Sequence, residues 1–521
     1  MSQVLTESVL TVSPFAWFGL LVLTWLVYGI AYDLFLSPLS RFPGPRLWAI
    51  SRIPSQLSIV RGHHHLDVLA LHDKYGPVVR IGPAELAFNT AEAFRDIYGP
   101  RPEHERCVKE RSHYGPQING ADHLSTAVDD AVHSRQRRLL SHAFSERALK
   151  EQEPLVTRYV DTLISRLREH ITAAPTAALD IKAWFNYTTF DITGDLMFGE
   201  SFNCLQDREL HPWIKLIFNS LKAMSLQNAV NQFPFWSALL GHCIPKRVRQ
   251  GELDHFNLSA AKVDRRLKLG SERPDFISAM LKNGLTEGKG DYRNGKLVMS
   301  RAEIHSNAFL LIVGGSETSA TLLSGCIYYL CQNRAILNRL STEIRTAFPT
   351  NAAISFTTSA QLPYLAAVIQ ESLRMYPPLV TSLARITPLS GTTICGTRIP
   401  GNTIVAGHHY ATYHSGSNFA LPHRFAPERW LDSPDANPIF AADHRDALQP
   451  FSLGPRNCIG KNLAYAEIRL ILCKLLWNFN VHMDAESEHW TDQEAHFVWD
   501  KPALMVRLEE RPAKDVATMG A

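Results

Sequence analysis

The sequence lacks a charge excess. Its 53 lysines and arginines face 50 aspartates and glutamates, a net charge of +3 with histidine neutral. A nucleic-acid binder usually carries a basic excess on some segment, so that class is set aside. Paired cysteines are missing too. The 8 cysteines are scattered without a CxxC spacing, and Cys326 and Cys331, the nearest two, stand five apart. That argues against a disulfide framework or a zinc site and for a reducing compartment, with most cysteines acting as small buried apolar residues. No internal repeat and no low-complexity tract breaks the chain,. With 521 residues and 45% hydrophobic content it is long enough for one very large domain or two to three ordinary ones,.

Charge is also absent between Glu7 and Asp33. The core of that run, FAWFGLLVLTWLVYGIA (Phe15–Ala31), suits a helix that crosses a bilayer, which takes about 20 apolar residues,. Trp17, Trp25, Tyr28 and Tyr32 suit the interfaces,. A cleaved signal peptide needs a basic leader, but Glu7 is the only charged residue ahead of the run,. Residues 1–40 therefore read as a membrane anchor with a short lead-in, and 41–521 as one folded domain. Arg41, Arg46 and Arg52 follow the run and place the domain on the cytoplasmic side,.

RFPGPRLW (Arg41–Trp48) reads as a stiff spacer,. Gly76–Phe88 reads as two short strands around a Gly-Pro turn,. Three-four apolar spacing makes Val128–Leu340 mainly helical, interrupted by a polar, glycine-rich exposed loop at Asn283–Leu297,. Period-two alternation returns at Thr392–Tyr410 and strand-like character at His496–Leu508. The fold class is mainly α with small β-sheets.

One cysteine stands out by its setting. FSLGPRNCIG (Phe451–Gly460) puts Cys458 in an irregular turn just before an amphipathic helix. Backbone N–H groups at a helix start favour a thiolate. Phe451, Gly454, Arg456, Cys458 and Gly460 together resemble the haem-binding loop of cytochromes P450. The resemblance implies the cytochrome P450 fold and haem b (iron protoporphyrin IX) with Cys458 as its axial thiolate, which favours O–O cleavage. It implies Phe451 packing beside the sulfur, Gly460 and Gly454 leaving room for a flat macrocycle, and Arg456 pairing with a propionate.

The family's other motifs appear in order. FLLIVGGSETSATLLSGCIYYL (Phe309–Leu330) is apolar nearly all round, as a buried helix is,. Gly314, Gly315, Ser316, Glu317, Thr318 and Ser319 match the family's oxygen-binding groove, in which Glu317 and Thr318 form a proton-relaying pair,. The plain alternative is a Thr back-bond bending a core helix. Glu371 and Arg374 share one helix face at i, i+3, a spacing also found at Glu92–Arg95 and Glu103–Arg106,. Their place after the central helix and before FAPERW implies a buried structural ion network with Arg429. His133 and Arg137 stand where the family often has Trp, three residues, Arg, both reaching a propionate, and Arg385 at another propionate-binding position. His63–His65 invites a metal reading, but the family has a helix start there. The glycosylation patterns at Asn186 and Asn257 fall on the cytoplasmic side and are discounted.

The whole resembles filamentous-fungal members that tailor terpenoids and polyketides. It implies an endoplasmic-reticulum monooxygenase fed by NADPH through a cytochrome P450 reductase, with cytochrome b5 as a further partner. Substrate would be framed by His113–Leu124, by Phe309, Leu310, Val313 and Gly314, and by Leu379 and Val380, with a contribution from Trp499–Pro502. These side chains make an apolar cavity for a small apolar or aromatic substrate. The rivals are a haem-thiolate isomerase, dehydratase or peroxygenase without a reductase, and a non-catalytic haem protein. Glu317–Thr318 favours the monooxygenase.

Overall fold

The uncharged run is helical over Pro14–Ala31 (α1), continues as one wider turn through Leu36, and has no buried residue. The computed structural model describes residues 14–101, 105–114, 117–209, 211, 225–233, 246–269, 275–286, 292–293, 296–432 and 437–511. Glu7, Glu103 and parts of the His113–Leu124 and Asn283–Leu297 stretches lie outside them.

The N-terminal helical segment meets the first sheet through a buried arginine. The Arg80 guanidinium donates to the Asp33 carbonyl at 2.6 Å and to the Pro83 carbonyl at 2.7 Å. Its backbone N–H donates to the Pro43 carbonyl at 2.7 Å. A Cβ on Gly44 would lie 2.3 Å from the Arg80 carbonyl oxygen, so the glycine is what lets the FPGP spacer lie against the next strand,.

His64–Tyr75 (α2) leads into Val78–Gly82 (β1) and Glu85–Phe88 (β2), the two strands expected around Gly82-Pro83. Ala91–Tyr98 (α3) and Val108–Lys109 (β3) follow. The helical body comprises Asp130–Leu140 (α4), Glu146–Ala173 (α5), Ile181–Phe198 (α6, after Leu179–Asp180, β4), Lys246–Leu269 (α7) and Arg301–Gln332 (α8). It continues with Pro363–Met375 (α9), Arg385–Ile386 (β5), the hairpin Thr392–Ile394 (β6) and Thr397–Ile399 (β7), and Ile404–Gly407 (β8). Lys461–Asn478 (α10), Phe479–Met483 (β9) and Met505–Glu510 (β10) close the chain. The larger sheet runs β1-β2-β8-β5-β3 and a smaller one β9-β10-β4.

Two stretches depart from their sequence patterns. The strand expected from His496 begins only at Met505, because Ala495 and Trp499 bridge to close a tight turn and Trp499 stacks on Tyr376 at 4.7 Å. Within Asn283–Leu297, Leu285–Thr286 pairs with Met299–Ser300 and Tyr292–Arg293 with Lys296–Leu297, so the described part holds short strands.

The central helix α8 explains itself locally. Ser300 accepts from the Glu303 N–H at 3.1 Å and Glu303 accepts from the Ser300 N–H at 2.9 Å, a capping box,. Its glycines do different work. A Cβ on Gly315 would lie 3.1 Å from Thr193 of α6, and one on Gly325 would lie 2.4 Å from the Tyr376 ring. Both therefore permit close packing. Gly314 instead faces open space, with nothing within 4 Å of a Cβ.

The ion network expected from α9 is present and fully buried. Arg374 grips both Glu371 oxygens at 2.8 and 2.9 Å, and Arg429 Nε lies 3.1 Å from each. The Ala426 N–H and the Trp430 indole N–H donate to the same carboxylate at 2.8 and 2.9 Å. Arg374 reaches on to the Tyr413 and Pro422 carbonyls at 2.8 and 2.6 Å, and Arg429 to Asp443. Burial would raise the Glu371 pKa, but Arg374 and Arg429 together hold it below the usual carboxylate range,. Glu371→Ala should strand two buried guanidinium groups and cost ~3–5 kcal/mol in urea denaturation. Glu92→Ala, on an exposed helix face, should stay within ~0.5 kcal/mol.

Candidate active site

The Phe451–Gly460 loop is irregular for a reason. Ser452 and Gly454 both take positive φ, 57° and 69°. A Cβ on Gly454 would come within 2.1 Å of the Tyr98 carbonyl oxygen at the end of α3. Gly454 thus seats the loop on the fold, and clearance for a macrocycle is not what demands it. The Cys458 N–H returns to the Phe451 carbonyl at 2.9 Å, closing the turn. Phe451 packs on Tyr465, centroids 5.1 Å apart. Gly460 is the N-cap of α10 at φ −84°, ψ 6°. The N–H groups of Gly460 and Lys461 point at the Cys458 sulfur.

Burial nonetheless outweighs those donors. It pushes the Cys458 thiol up, against the Gly460 N–H, Arg137 and the Lys461 N–H. A helix start alone therefore does not yield the thiolate that the sequence suggested. A metal cation does, since a coordinating thiol is deprotonated outright. Although deeply enclosed, the Cys458 side chain is accessible to water, so the sulfur faces open space inside the domain. Gly314 is likewise exposed, on a stretch of α8 whose other residues are buried or half-buried. Neighbouring Gly460 leaves the same space clear, with a Cβ meeting only Phe144 and the sulfur at 3.8 and 3.9 Å.

A linked set of basic side chains adjoins the cysteine loop. Arg456 holds Asp130 at 2.6 Å and the Ala127 and Val128 carbonyls. Arg385 donates to the Tyr114 hydroxyl at 3.2 Å and the Ala384 carbonyl at 3.1 Å. His133 is buried and stays neutral at physiological pH: burial, then Arg456 and Lys109, push its pKa down to about 3. Arg137 does something the sequence did not suggest. It donates to the carbonyl and the side-chain oxygen of Asn457, both at 2.6 Å, and so clamps the cysteine loop.

Sequence reasoning missed Lys109 and His123. Lys109 lies directly opposite Arg385 across β3 and β5. Like charges in that register repel. Burial, Arg385 and Arg456 push the Lys109 amine down to about 6. Burial and Lys109 push His123 down to about 3. A dianionic group in the space would relieve this crowding. The open sulfur, the open glycine and the linked basic side chains fit a flat iron macrocycle with two carboxylates.

On α8 the acid and the alcohol part company. Thr318 donates to the Gly314 carbonyl at 2.8 Å, the back-bond that sequence alone allowed,. Glu317 instead accepts at Oε1 from Lys501 and, at 3.3 Å, from Thr321. Neighbouring helical residues do not face each other, so no direct bond joins the pair. Glu317 Oε2 is buried without a partner among the described residues. Lys501 belongs to the Trp499–Pro502 turn, which the sequence placed near substrate.

The apolar wall is partly as expected. Leu310, Val313 and Leu379 pack half-buried on the main core, and Val380 belongs to it. Phe309 packs against His255 of α7, ring centroids 4.4 Å apart and tilted by 51°. Leu124 of the preceding segment is pinned to α8, its N–H donating to Asn307 Oδ1 at 3.0 Å. At the start of α2, His64 stacks on Trp48 and His65 sits edge-on between Tyr410 and Trp499. Asn186 is buried within α6.

A second unforeseen group ties α10 to α8. Glu467 is buried, accepts from Ser319 at 3.2 Å, and leaves Oε1 without a partner among the described residues. Burial pushes its pKa up to about 8, with the Ser319 bond opposing. From an ordinary 4.5 up to about 8 the folded chain keeps a proton that the unfolded chain has released. Stability therefore falls as pH rises through that window. Urea midpoints should show this decline, and Glu467→Gln should flatten it; an unchanged slope in the variant would contradict the assignment.

The cytochrome P450 family model matches residues 42–508. Cytochrome P450 monooxygenase efuB of Hormonema carpetanum is 44% identical over 94% of this chain and 95% of its own length. Averantin hydroxylase of Dothistroma septosporum is 41% identical, covering 94% and 90%. Trichothecene C-4 hydroxylase of Trichoderma arundinaceum is 41% identical, covering 94% and 97%. With its cysteine loop, its open-faced central helix and these relatives, the chain belongs to the cytochrome P450 family.

Proposed function

We propose that this haem-thiolate monooxygenase hydroxylates a small apolar or aromatic compound of fungal secondary metabolism, using electrons from NADPH passed through a reductase. One observation carries the reading: Cys458 and Gly314 are both open positions on elements packed into the main core. The relatives' printed names, averantin hydroxylase and the trichothecene C-4 and C-15 hydroxylases, support hydroxylation of such compounds.

Haem iron bound to the Cys458 sulfur would supply dioxygen binding and cleavage. The chain's own residues set the conditions. Gly460 and Lys461 direct N–H groups at the sulfur, and Arg137 holds the loop that carries it. Arg456, Arg385 and Lys109, with neutral His133 as a hydrogen-bond donor, would hold the two carboxylates of the macrocycle. Leu310, Val313, Leu379 and Val380 exclude water and favour an apolar substrate. Gly314 leaves room on the face opposite the sulfur. Glu317, with its unpartnered Oε2, and Thr318 pass protons to that face, solvent bridging the two.

The exposed helix α1 supports single-pass anchoring. We place it in the endoplasmic reticulum with residues 41–521, the catalytic domain, facing the cytoplasm, in keeping with Arg41, Arg46 and Arg52,. Cytochrome b5 is a candidate second electron donor.

Cys458→Ser should lose the thiolate absorption spectrum and all NADPH-driven product, while Cys326→Ser and Cys331→Ser, at buried core positions, keep both. Thr318→Ala should lower product formed per NADPH by ~10-fold or more and release hydrogen peroxide instead. Turnover that runs on peroxide but fails with reductase, NADPH and oxygen would replace this reading by a peroxygenase.

A further inference from the structure

A membrane span can lead into its domain through free chain or through a fixed joint, and the hydrogen bonds at the exit tell the two apart. Helix α1 runs without a break into the wider turn Tyr32–Leu36, which the Ser37 N–H closes on the Tyr32 carbonyl at 2.7 Å. Such a turn marks a local change in the helix ladder. Within it the Asp33 carbonyl accepts from Arg80 of β1 at 2.6 Å, across 47 positions.

Local packing does not call for a charge at Arg80. Val79 and Ile81 beside it are fully buried and apolar, and its own side chain is 2% exposed. Burying a charge is costly unless its donors are met. Here main-chain carbonyls meet them. Nη2 donates to Pro83 at 2.7 Å and Nε to Gly82 at 3.3 Å, both in the turn after β1. The third arm, Nη1, is the one that reaches the end of the span. The Asp33 carboxylate adds a weaker contact at 3.5 Å. One planar fork therefore joins the last turn of the span to the first turn of the sheet.

The backbone repeats the connection. β1 is the edge strand of the larger sheet, and an open edge needs cover. The spacer supplies it, with the Pro43 carbonyl accepting from the Arg80 N–H at 2.7 Å and Gly44 admitting the Arg80 carbonyl. Pro43 and Pro45 lack an N–H, so they cap the edge without extending the sheet. Between these grips Leu39 is buried against Leu86, Phe88 and Val405, and Phe42 packs on the same cluster. The Arg41 guanidinium reaches the Arg398 carbonyl in the β6–β7 hairpin. The connection is thus held at Asp33, Leu39, Arg41 and Pro43.

We propose that Arg80 bolts the membrane span to the first sheet, so that span and catalytic domain tilt on the bilayer as one body. The inference rests on the reading of α1 as a membrane anchor. Because the grip is on a carbonyl, the side chain at position 33 matters little. The fork itself matters, since a lysine offers a point charge and cannot bridge carbonyls on two sides.

The test uses the full-length holoprotein in oriented bilayers. It follows the linear dichroism of the Soret band, which reports the tilt of the haem plane, and tryptic cleavage at Arg41 and Arg46. Wild type should show strong dichroism and slow cleavage. Arg80→Met and Arg80→Lys should lose most of the dichroism, and cleavage should rise ~10-fold or more as the spacer opens. Asp33→Asn, which leaves the carbonyl in place, should behave as wild type. The carbon monoxide spectrum and the urea midpoint report whether each variant keeps its fold. A further variant retains Arg80 and inserts Gly-Ser-Gly-Ser between Ser40 and Arg41. It should keep the wild-type dichroism, because the grip on Asp33 survives, and lose it when Arg80→Lys is added. Weak dichroism in wild type, or undiminished dichroism in a folded Arg80 variant, would overturn the bolt. Loss of dichroism from the insertion alone would overturn it too, whether or not the Arg80 variants fold, because chain length would then do the holding. Protein washed from the bilayers by alkaline carbonate would overturn the anchor reading instead.

Discussion

Holding an anionic sulfur inside a closed protein is the constraint on which the rest of this structure depends. Burial works against the charge, and the two N–H groups and the arginine near Cys458 do not by themselves overcome it. The fold meets the requirement by building an irregular loop and fixing it from several sides. The end of α3 receives Gly454, α4 sends Arg137 to Asn457, and α10 begins just after the cysteine. An iron cation bound to the sulfur would complete the balance. The larger sheet sets Lys109 and Arg385 side by side across β3 and β5, the pair that we propose receives the carboxylates of the same ligand.

The interior acids show how environment divides labour among like groups. Glu371 is matched by two arginines, a backbone N–H and an indole N–H, and stays ionised as a structural tie. Glu467 has a single hydroxyl partner, which burial overrides, and it keeps its proton up to about 8. Glu317 has one oxygen held by an ammonium and the other without a partner among the described residues. A half-satisfied carboxylate suits exchange, whereas a fully satisfied one suits rigidity.

Much of this was legible in the sequence, and the reason is local. The cysteine loop, the Gly314–Ser319 stretch of the apolar central helix and the Glu371–Arg374 spacing each lie within about a dozen residues, so local pattern reports them. What escaped was long-range. Lys501 meets Glu317 across 184 positions, and nothing in WDKP distinguishes a buried lysine from a solvated one. Lys109 opposes Arg385 only because β3 joins a sheet whose register no local pattern sets. Glu467 sits in an ordinary helical sequence and becomes unusual through burial. Glu317 and Thr318 were read as a proton-relaying pair from the family resemblance, and helical geometry turns them to different partners. Gly454 was expected to clear space for the cofactor and instead admits the Tyr98 carbonyl.

The central claim is that this loop presents Cys458 to iron as a thiolate. The most direct measurement is the absorption spectrum of the reduced wild-type holoprotein under carbon monoxide, followed across neutral and alkaline pH. A red-shifted Soret band of the thiolate-ligated type at every pH is expected. A Soret band typical of a neutral-thiol or imidazole ligand, or no Soret band at all, would contradict it.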